Sequence, residues 1–297
     1  MREFAKPQTD PSCFYDPKEK GKKEMEKVFS TTLLSPYLKF GCVSPRSFFF
    51  SLHEIVKEKK STQPPESLLG QLYWREFFYL CSHKTEKFHE IEGNEICRKI
   101  EWDTNQVFLK AFNEAKTGYP WIDAILIQLR QFGWIHHLAR HSVACFLTRG
   151  DLYLSWVEGV KLFDKLLLDA DYALNNANWM WLSASAFFNQ YWRVYSPVAF
   201  GKKYDPEGNM VKFFIPALKK FPKQYIYEPW KAPLAKQREW GCVIGQDYPK
   251  RIVDHDQVKD INLERMKAAF ASKNDNKKRS NSSKEGETTE KKKKKAK

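Results

Sequence analysis

The 297-residue chain has no apolar run long enough to cross a bilayer, and no signal peptide opens it, so a membrane-spanning role is not expected. No GxGxxG follows a strand-like stretch, and there is no P-loop. A bound dinucleotide would therefore not sit in a Rossmann crevice. The seven histidines form no HExxH pattern, and no Cys/His spacing suits zinc. A GxSxG nucleophile elbow is also missing. The six cysteines form no CxxC pair, and Cys81 and Cys145 sit inside apolar runs. Reduced thiols and an intracellular compartment are the expectation. Period-two alternation is scarce, and no internal repeat is visible.

Aromatic residues and positive charge are what the chain does have. Aromatics make up 15% of it, with ten Trp, which favours stacking surfaces or an aromatic-lined ligand site. The net charge is +14, a balance that suits a polyanion such as nucleic acid. Half of the excess lies in residues 272–297, where eleven Lys or Arg face four acids. That segment carries no apolar anchors and ends in a five-Lys run, so it reads as a disordered basic tail. Residues 1–30 are polar and Lys-rich, with Pro7, Pro11 and Pro17, and read as a lead-in. Residues 31–271 form the expected domain. Helical spacing marks 43–58, 66–82, 105–115, 120–148 and 151–168. Short strand candidates flank the turn Asp205-Pro206-Glu207-Gly208. The fold class expected is all-α.

Four constellations carry chemistry. The first is Ser30-Thr31-Thr32-Leu33-Leu34-Ser35-Pro36, with hydroxyls clustered ahead of a helix-opening proline. Such a cluster can seat phosphate; N-capping is the plainer alternative. The second is Tyr73-Trp74-Arg75-Glu76-Phe77, where Arg75 can pair with phosphate or carboxylate and Gln71 shares a face with Trp74. The third is Trp134-Ile135-His136-His137-Leu138-Ala139-Arg140-His141. Here His137 and His141, one helical turn apart, can act as a coupled imidazole pair, one charged and one neutral. The fourth is the stretch from Asp169 to Tyr195, which packs acids, amides and indoles together. That mixture suits a polar, aromatic-lined pocket for a large planar ligand. Tyr153, Trp156 and Trp179 could also relay electrons, if a redox cofactor stood at one end.

These segments, in this order, resemble the photolyase/cryptochrome family, and look closest to (6-4) photolyases and animal-like cryptochromes. The matching text is TTLLSPYLKFG, GQLYWREFF, KTGYPWIDA, GWIHHLARH, LLLDADYALNNANWMWLSAS and RVYSPVAFGKKYDPEG. The resemblance implies a multi-helical FAD-binding domain, without the family's N-terminal α/β antenna domain. It implies FAD held by Thr31, Thr32, Ser35, Arg75, Arg140, Asp169, Asp171 and Asn175, with Asn175 facing flavin N5. Trp179, Trp156 and Trp102 match the family's electron-transfer triad, and Tyr153 stands where many relatives have a fourth Trp. His137 and His141 match the catalytic pair of (6-4) photolyases, with His137 as the acid. Gln71, Trp74, Arg193 and Tyr195 match lesion-contacting positions. The implied activity is light-driven repair of (6-4) photoproducts in UV-damaged DNA. The alternative is a blue-light receptor acting through signalling proteins, or both roles together. A monomer is expected, and the basic tail suits nuclear entry or added DNA affinity, with cytoplasm or an organelle as other locations.

Overall fold

The computed structural model describes residues 32–57, 64 and 67–271. The lead-in, Thr31 and the basic tail lie outside the described residues. The helices, in chain order, are α1 (Ser35–Lys39), α2 (Pro45–Lys57), α3 (Leu68–Lys84), α4 (Gln106–Asn113), α5 (Pro120–Phe132) and α6 (His137–Cys145). After a π-type turn at Phe146–Gly150 come α7 (Trp156–Leu166), α8 (Tyr172–Leu182), α9 (Ala199–Tyr204), α10 (Asn209–Phe214) and α11 (Leu234–Trp240). Residues 255–271 form a last helix, α12. Extended pairing among the described residues is limited to two isolated bridges, Asp103 with Leu154 and Ile244 with Tyr248. The all-α expectation holds.

Side-chain caps start several of these helices. The Ser67 hydroxyl accepts from Gly70 N at 3.1 Å and opens α3. Asn105 accepts from Val107 N and Phe108 N at 3.0 Å each, opening α4. Asp171 accepts from Leu174 N at 3.0 Å, opening α8. Each satisfies an N–H that the first helical turn leaves without a partner.

Three expectations need correction. Residues 120–148 are not one helix. Gly133 takes a left-handed φ of 64° and closes α5, as glycine past a helix end commonly does. The chain restarts at His137, with the His136 ring accepting from Leu138 N at 3.2 Å. Residues 151–168 are helical only over Trp156–Leu166. Before that, Leu154 is drawn into its bridge with Asp103. The strand candidates around Asp205-Pro206-Glu207-Gly208 are the short helices α9 and α10. There Asp205 accepts from Asn209 N at 2.8 Å and Met210 N at 2.9 Å, so its carboxylate starts α10.

The core centres on α5, which is buried along most of its length from Pro120 to Leu129. Around it pack α10, α6 and α4, while α8 takes α7, α3 and α6 against its flanks. A buried acid, Asp123, holds the entry to α5. It accepts from Thr117 N (2.9 Å), the Thr117 hydroxyl (2.7 Å), Gly118 N (3.1 Å) and the Tyr248 hydroxyl. The last helix is tied in by polar contacts as well. His255 Nδ1 lies 2.7 Å from Asp151, and Asn262 donates to the carbonyls of Gly150 and Asp151.

The α7–α8 contact depends on a glycine. A Cβ on Gly159 would lie 2.1 Å from the Trp179 ring, well inside van der Waals contact. Trp179 therefore reaches its place only because α7 is bare there. Gly159→Ala is expected to destabilise the fold by about 1–3 kcal/mol through overpacking, read as a lower urea midpoint. An unchanged midpoint would contradict this packing.

Candidate functional site

The centre of the site is a cavity of about 310 Å³ between α1, α3, α6 and the α7–α8 junction. Its walls bring together Thr32, Ser35, Arg75, Arg140, Asp169, Asp171, Asn175 and Trp179. These come from four separate sequence segments. A second cavity, of about 420 Å³, is lined by Trp74, Phe78 and Trp181. The two share Gln71, Arg75, His137, His141, Leu174, Asn178 and Leu182 as common walls.

An ion pair frames the first cavity. Arg140 donates to both oxygens of Asp169, at 3.1 and 2.8 Å, and through Nε to the Ile135 carbonyl at 3.0 Å. The Asp169 side chain is 4% exposed, so this fork-shaped pair is charge-assisted and largely shielded from water. Two residues on, Asp171 spends one oxygen on Leu174 N and accepts the Tyr79 hydroxyl with the other. Burial, together with that carboxylate, pushes the Tyr79 pKa up to about 12. The Arg75 guanidinium stacks over the Tyr79 ring at 4.5 Å. Asn175 donates to Val160 O at 3.1 Å and Asp164 at 2.7 Å, which fixes its amide in one orientation.

Among the described residues, no hydroxyl of the cluster caps α1. Leu34 is at the cap position, with no side-chain hydrogen bond. Thr32 and Ser35 instead line the cavity, and the Ser35 hydroxyl accepts from the Trp134 indole at 3.3 Å. Lys39, one turn beyond Ser35, reaches across to the Ala170 carbonyl and lines the same wall. Lys39 and Tyr79 were missed in the sequence reading. The clue to both was helical spacing, i+4 from Ser35 and i+4 from Arg75.

The histidine pair stands where the two cavities meet. The ring centroids of His137 and His141 are 6.1 Å apart and nearly perpendicular. His141 Nδ1 lies 2.7 Å from the His137 carbonyl. That contact assigns the proton to Nδ1 and leaves Nε2 as an acceptor. Tyr195 meets the His141 ring edge-on at 5.7 Å. Burial pushes the pKa of both histidines down, although the His137 ring is open at the cavity mouth. The charges of His136, His141 and Arg140 add to the effect at His137. The protein alone thus favours two neutral imidazoles and not the one-charged pair expected from spacing.

Arg193 is exposed and lines neither cavity, so the structure does not bring it to the site. Trp156 and Trp179 are buried at 0% and 1% exposure in one cluster, with Trp102 packed against it. Trp102 meets Tyr153 at 4.9 Å. The N–H groups of all three Trp are buried without a hydrogen-bond partner among the described residues. Indoles normally find such a partner, so all three stand out from ordinary core tryptophans. Tyr153 lies under α12, its hydroxyl 3.7 Å from Met266 sulfur and its ring beneath Arg265 at 3.6 Å.

A cavity that combines Trp179 with Lys39, Arg75 and Arg140 offers both a ring and cations to a flavin dinucleotide. Residues 68–268 match the FAD binding domain of DNA photolyase. The chain belongs to the photolyase/cryptochrome family. It is 53% identical over 273 residues to a (6-4)DNA photolyase of Oryza sativa subsp. japonica, covering 92% of this chain and 47% of that protein. It is 56% identical over 242 residues to Cryptochrome-2 of Gallus gallus, covering 81% of this chain and 42% of that protein. Among solved structures, a Synechocystis sp. PCC6803 cryptochrome superposes with a TM-score of 0.73 at 27% identity, over 80% of this chain and 49% of that one. The chain spans about half the length of these relatives.

The cavity fits FAD on its own chemistry. Lys39, Arg75, Thr32 and Ser35 supply cations and hydroxyls for a diphosphate. Asp171 would offer acceptors to sugar hydroxyls. Asn175 and Trp179 would offer an amide and a ring to the flavin. Asp169→Asn removes one charge from the ion pair and leaves Arg140 unmatched. The expected result is weaker FAD retention, by about 2–3 kcal/mol, seen as a lower ratio of flavin to protein absorbance. Full retention in this variant would show that the pair does not frame the cofactor.

Proposed function

We propose that this photolyase-family domain repairs (6-4) pyrimidine photoproducts in DNA, driven by blue light. The observation that carries this reading is the His137–His141 pair in the wall shared by both cavities. From there the pair can reach a group in the second cavity while facing the cofactor in the first. Bound FAD would supply the photoexcited electron that starts the bond rearrangement, and recover it afterwards.

The chain's own residues would do the rest. Body Lys and Arg hold phosphates, so binding weakens as salt rises. A damaged dinucleotide, already poorly stacked, flips out of the duplex into the second cavity. Trp74 and Trp181, whose rings meet at 4.9 Å, offer apolar surface to its bases. Gln71 offers an amide for their edges. The substrate brings phosphate charge toward two imidazoles that the protein keeps neutral. That negative field favours a proton on His137, which then serves as general acid. His141, held by its Nδ1–H bond, turns a bare Nε2 to the site and takes up or relays the proton.

A second reading is a photoreceptor, and the Tyr153 geometry favours it. Tyr153 is where the Trp row ends, and it is covered by Met266 and Arg265 of α12. A change of charge there would be felt by that helix.

Three variants separate these roles. Trp179→Phe should stop light-driven flavin reduction while FAD stays bound. His141→Ala should keep photoreduction but lower (6-4) repair by about 10²–10⁴-fold. A His141→Ala protein with wild-type repair would remove His141 from the chemistry, and a wild-type domain that repairs no lesion would end the enzymatic reading. If Tyr153 terminates the electron path, Tyr153→Phe should shorten the radical lifetime in transient absorption; an unchanged lifetime removes it from the path.

A further inference from the structure

Arg149 takes no part in the chemistry above, yet its side chain is among the largest that are fully buried, at 1% exposure. It sits in the π-type turn at Phe146–Gly150, directly after α6. Its Nε donates to the Leu182 carbonyl at 2.8 Å and its Nη1 to the Tyr191 carbonyl at 2.7 Å. Nη2 has no hydrogen-bond partner among the described residues. A guanidinium held by carbonyls keeps its full positive charge facing its surroundings.

Both acceptors have functional neighbours. Leu182 is the last residue of α8 and lines both cavities. Its carbonyl belongs to the negative end of that helix, where a cation is well placed. Tyr191 lies four residues before Tyr195, which stands edge-on to His141. Tyr195 N also donates to Cys145 sulfur at 3.5 Å, on the last turn of α6. Arg149 thus joins the end of α8, the loop at 183–195 and the turn that closes α6.

We propose that Arg149 is a positioning residue for the histidine pair: it fixes the 183–195 loop so that Tyr195 abuts His141, and it presents a permanent positive charge to that imidazole. Only the activity part of this inference rests on the repair reading. Several groups surround His141. His137, Arg140 and Cys145 share its helix, Tyr195 comes from the loop, and Lys39, Arg75, Tyr79, Asp169 and Asp171 line the cavity it borders. Burial is the main force holding His141 deprotonated, and Arg149 adds to it, while the bond to the His137 carbonyl opposes both. Removing the Arg149 charge should raise the pH at which His141 takes a proton. The acid limb of any reaction that needs its bare Nε2 would then move to higher pH.

The test compares Arg149→Met with Arg149→Lys in the FAD-loaded chain. His141 is followed by imidazole NMR across pH, alongside (6-4) repair. Arg149→Met should raise the His141 midpoint, shift the acid limb upward and slow repair about tenfold to a hundredfold. Arg149→Lys keeps the charge but cannot span both carbonyls. It should leave the His141 midpoint in place while still slowing repair. An unmoved His141 midpoint in Arg149→Met would overturn the electrostatic part and leave Arg149 a structural bolt. If Arg149→Met does not fold, Arg149→Lys decides: wild-type repair overturns the positioning role, and slower repair with an unmoved midpoint supports it. If the wild-type domain repairs no lesion, the repair reading fails, and the His141 midpoints still judge this one.

Discussion

The Arg140–Asp169 ion pair is the constraint on which the site depends. It joins α6, which carries His137 and His141, to the segment between α7 and α8, which carries Asp171 and leads to Asn175 and Trp179. Its Nε bond to Ile135 orients the guanidinium before the carboxylate meets it. A fork held at three points has little freedom to turn. Because Asp169 is shielded from water, either charge left alone would be costly. The wall of the cavity is therefore fixed by electrostatics and not by apolar packing alone.

Around that pair, polar groups repeatedly serve two ends. Asp171 caps α8 and receives Tyr79 from α3. Asn175 sits on α8 and binds two groups of α7. Asp151 meets His255 of α12 while its own carbonyl accepts Asn262. Each such group adds a polar crosslink between segments distant in sequence. Burial raises the cost of leaving any of them unpaired. This is how a helical domain holds a polar cavity open without collapsing onto it.

The aromatic row follows the opposite logic. Trp179 and Trp156 lie deep in apolar surroundings, and Gly159 is bare so that Trp179 can fit. Their indole N–H groups are left without partners among the described residues. Trp179 stands in the cavity wall, and Trp102 meets Tyr153 under α12. Cofactor cavity, histidine pair and aromatic row share α8 as their common strut. A disturbance of α8 should reach all three, which is why its end at Leu182 has its own buried cation in Arg149.

Much of this was written in the sequence. Helical spacing gave α2, α3, α4 and the existence of α5 to α7, because amphipathic periodicity is a local property. The motif text picked out Arg140, Asp169, Asp171, Asn175, Thr32, Ser35 and Arg75, and these line one cavity. Other features were settled only by tertiary structure. Asp205 turned strand-like flanks into two short helices, through a carboxylate cap that spacing does not reveal. His137 and His141 share a helix face by local rule, but burial and neighbouring cations decide that both lean neutral. Lys39, Tyr79 and Arg149 acquire their roles from partners 131, 92 and 33 residues away along the chain. Local sequence specifies what a helix is and which face it buries. Which distant group ends up across from it, and in what dielectric, is decided only when the helices pack.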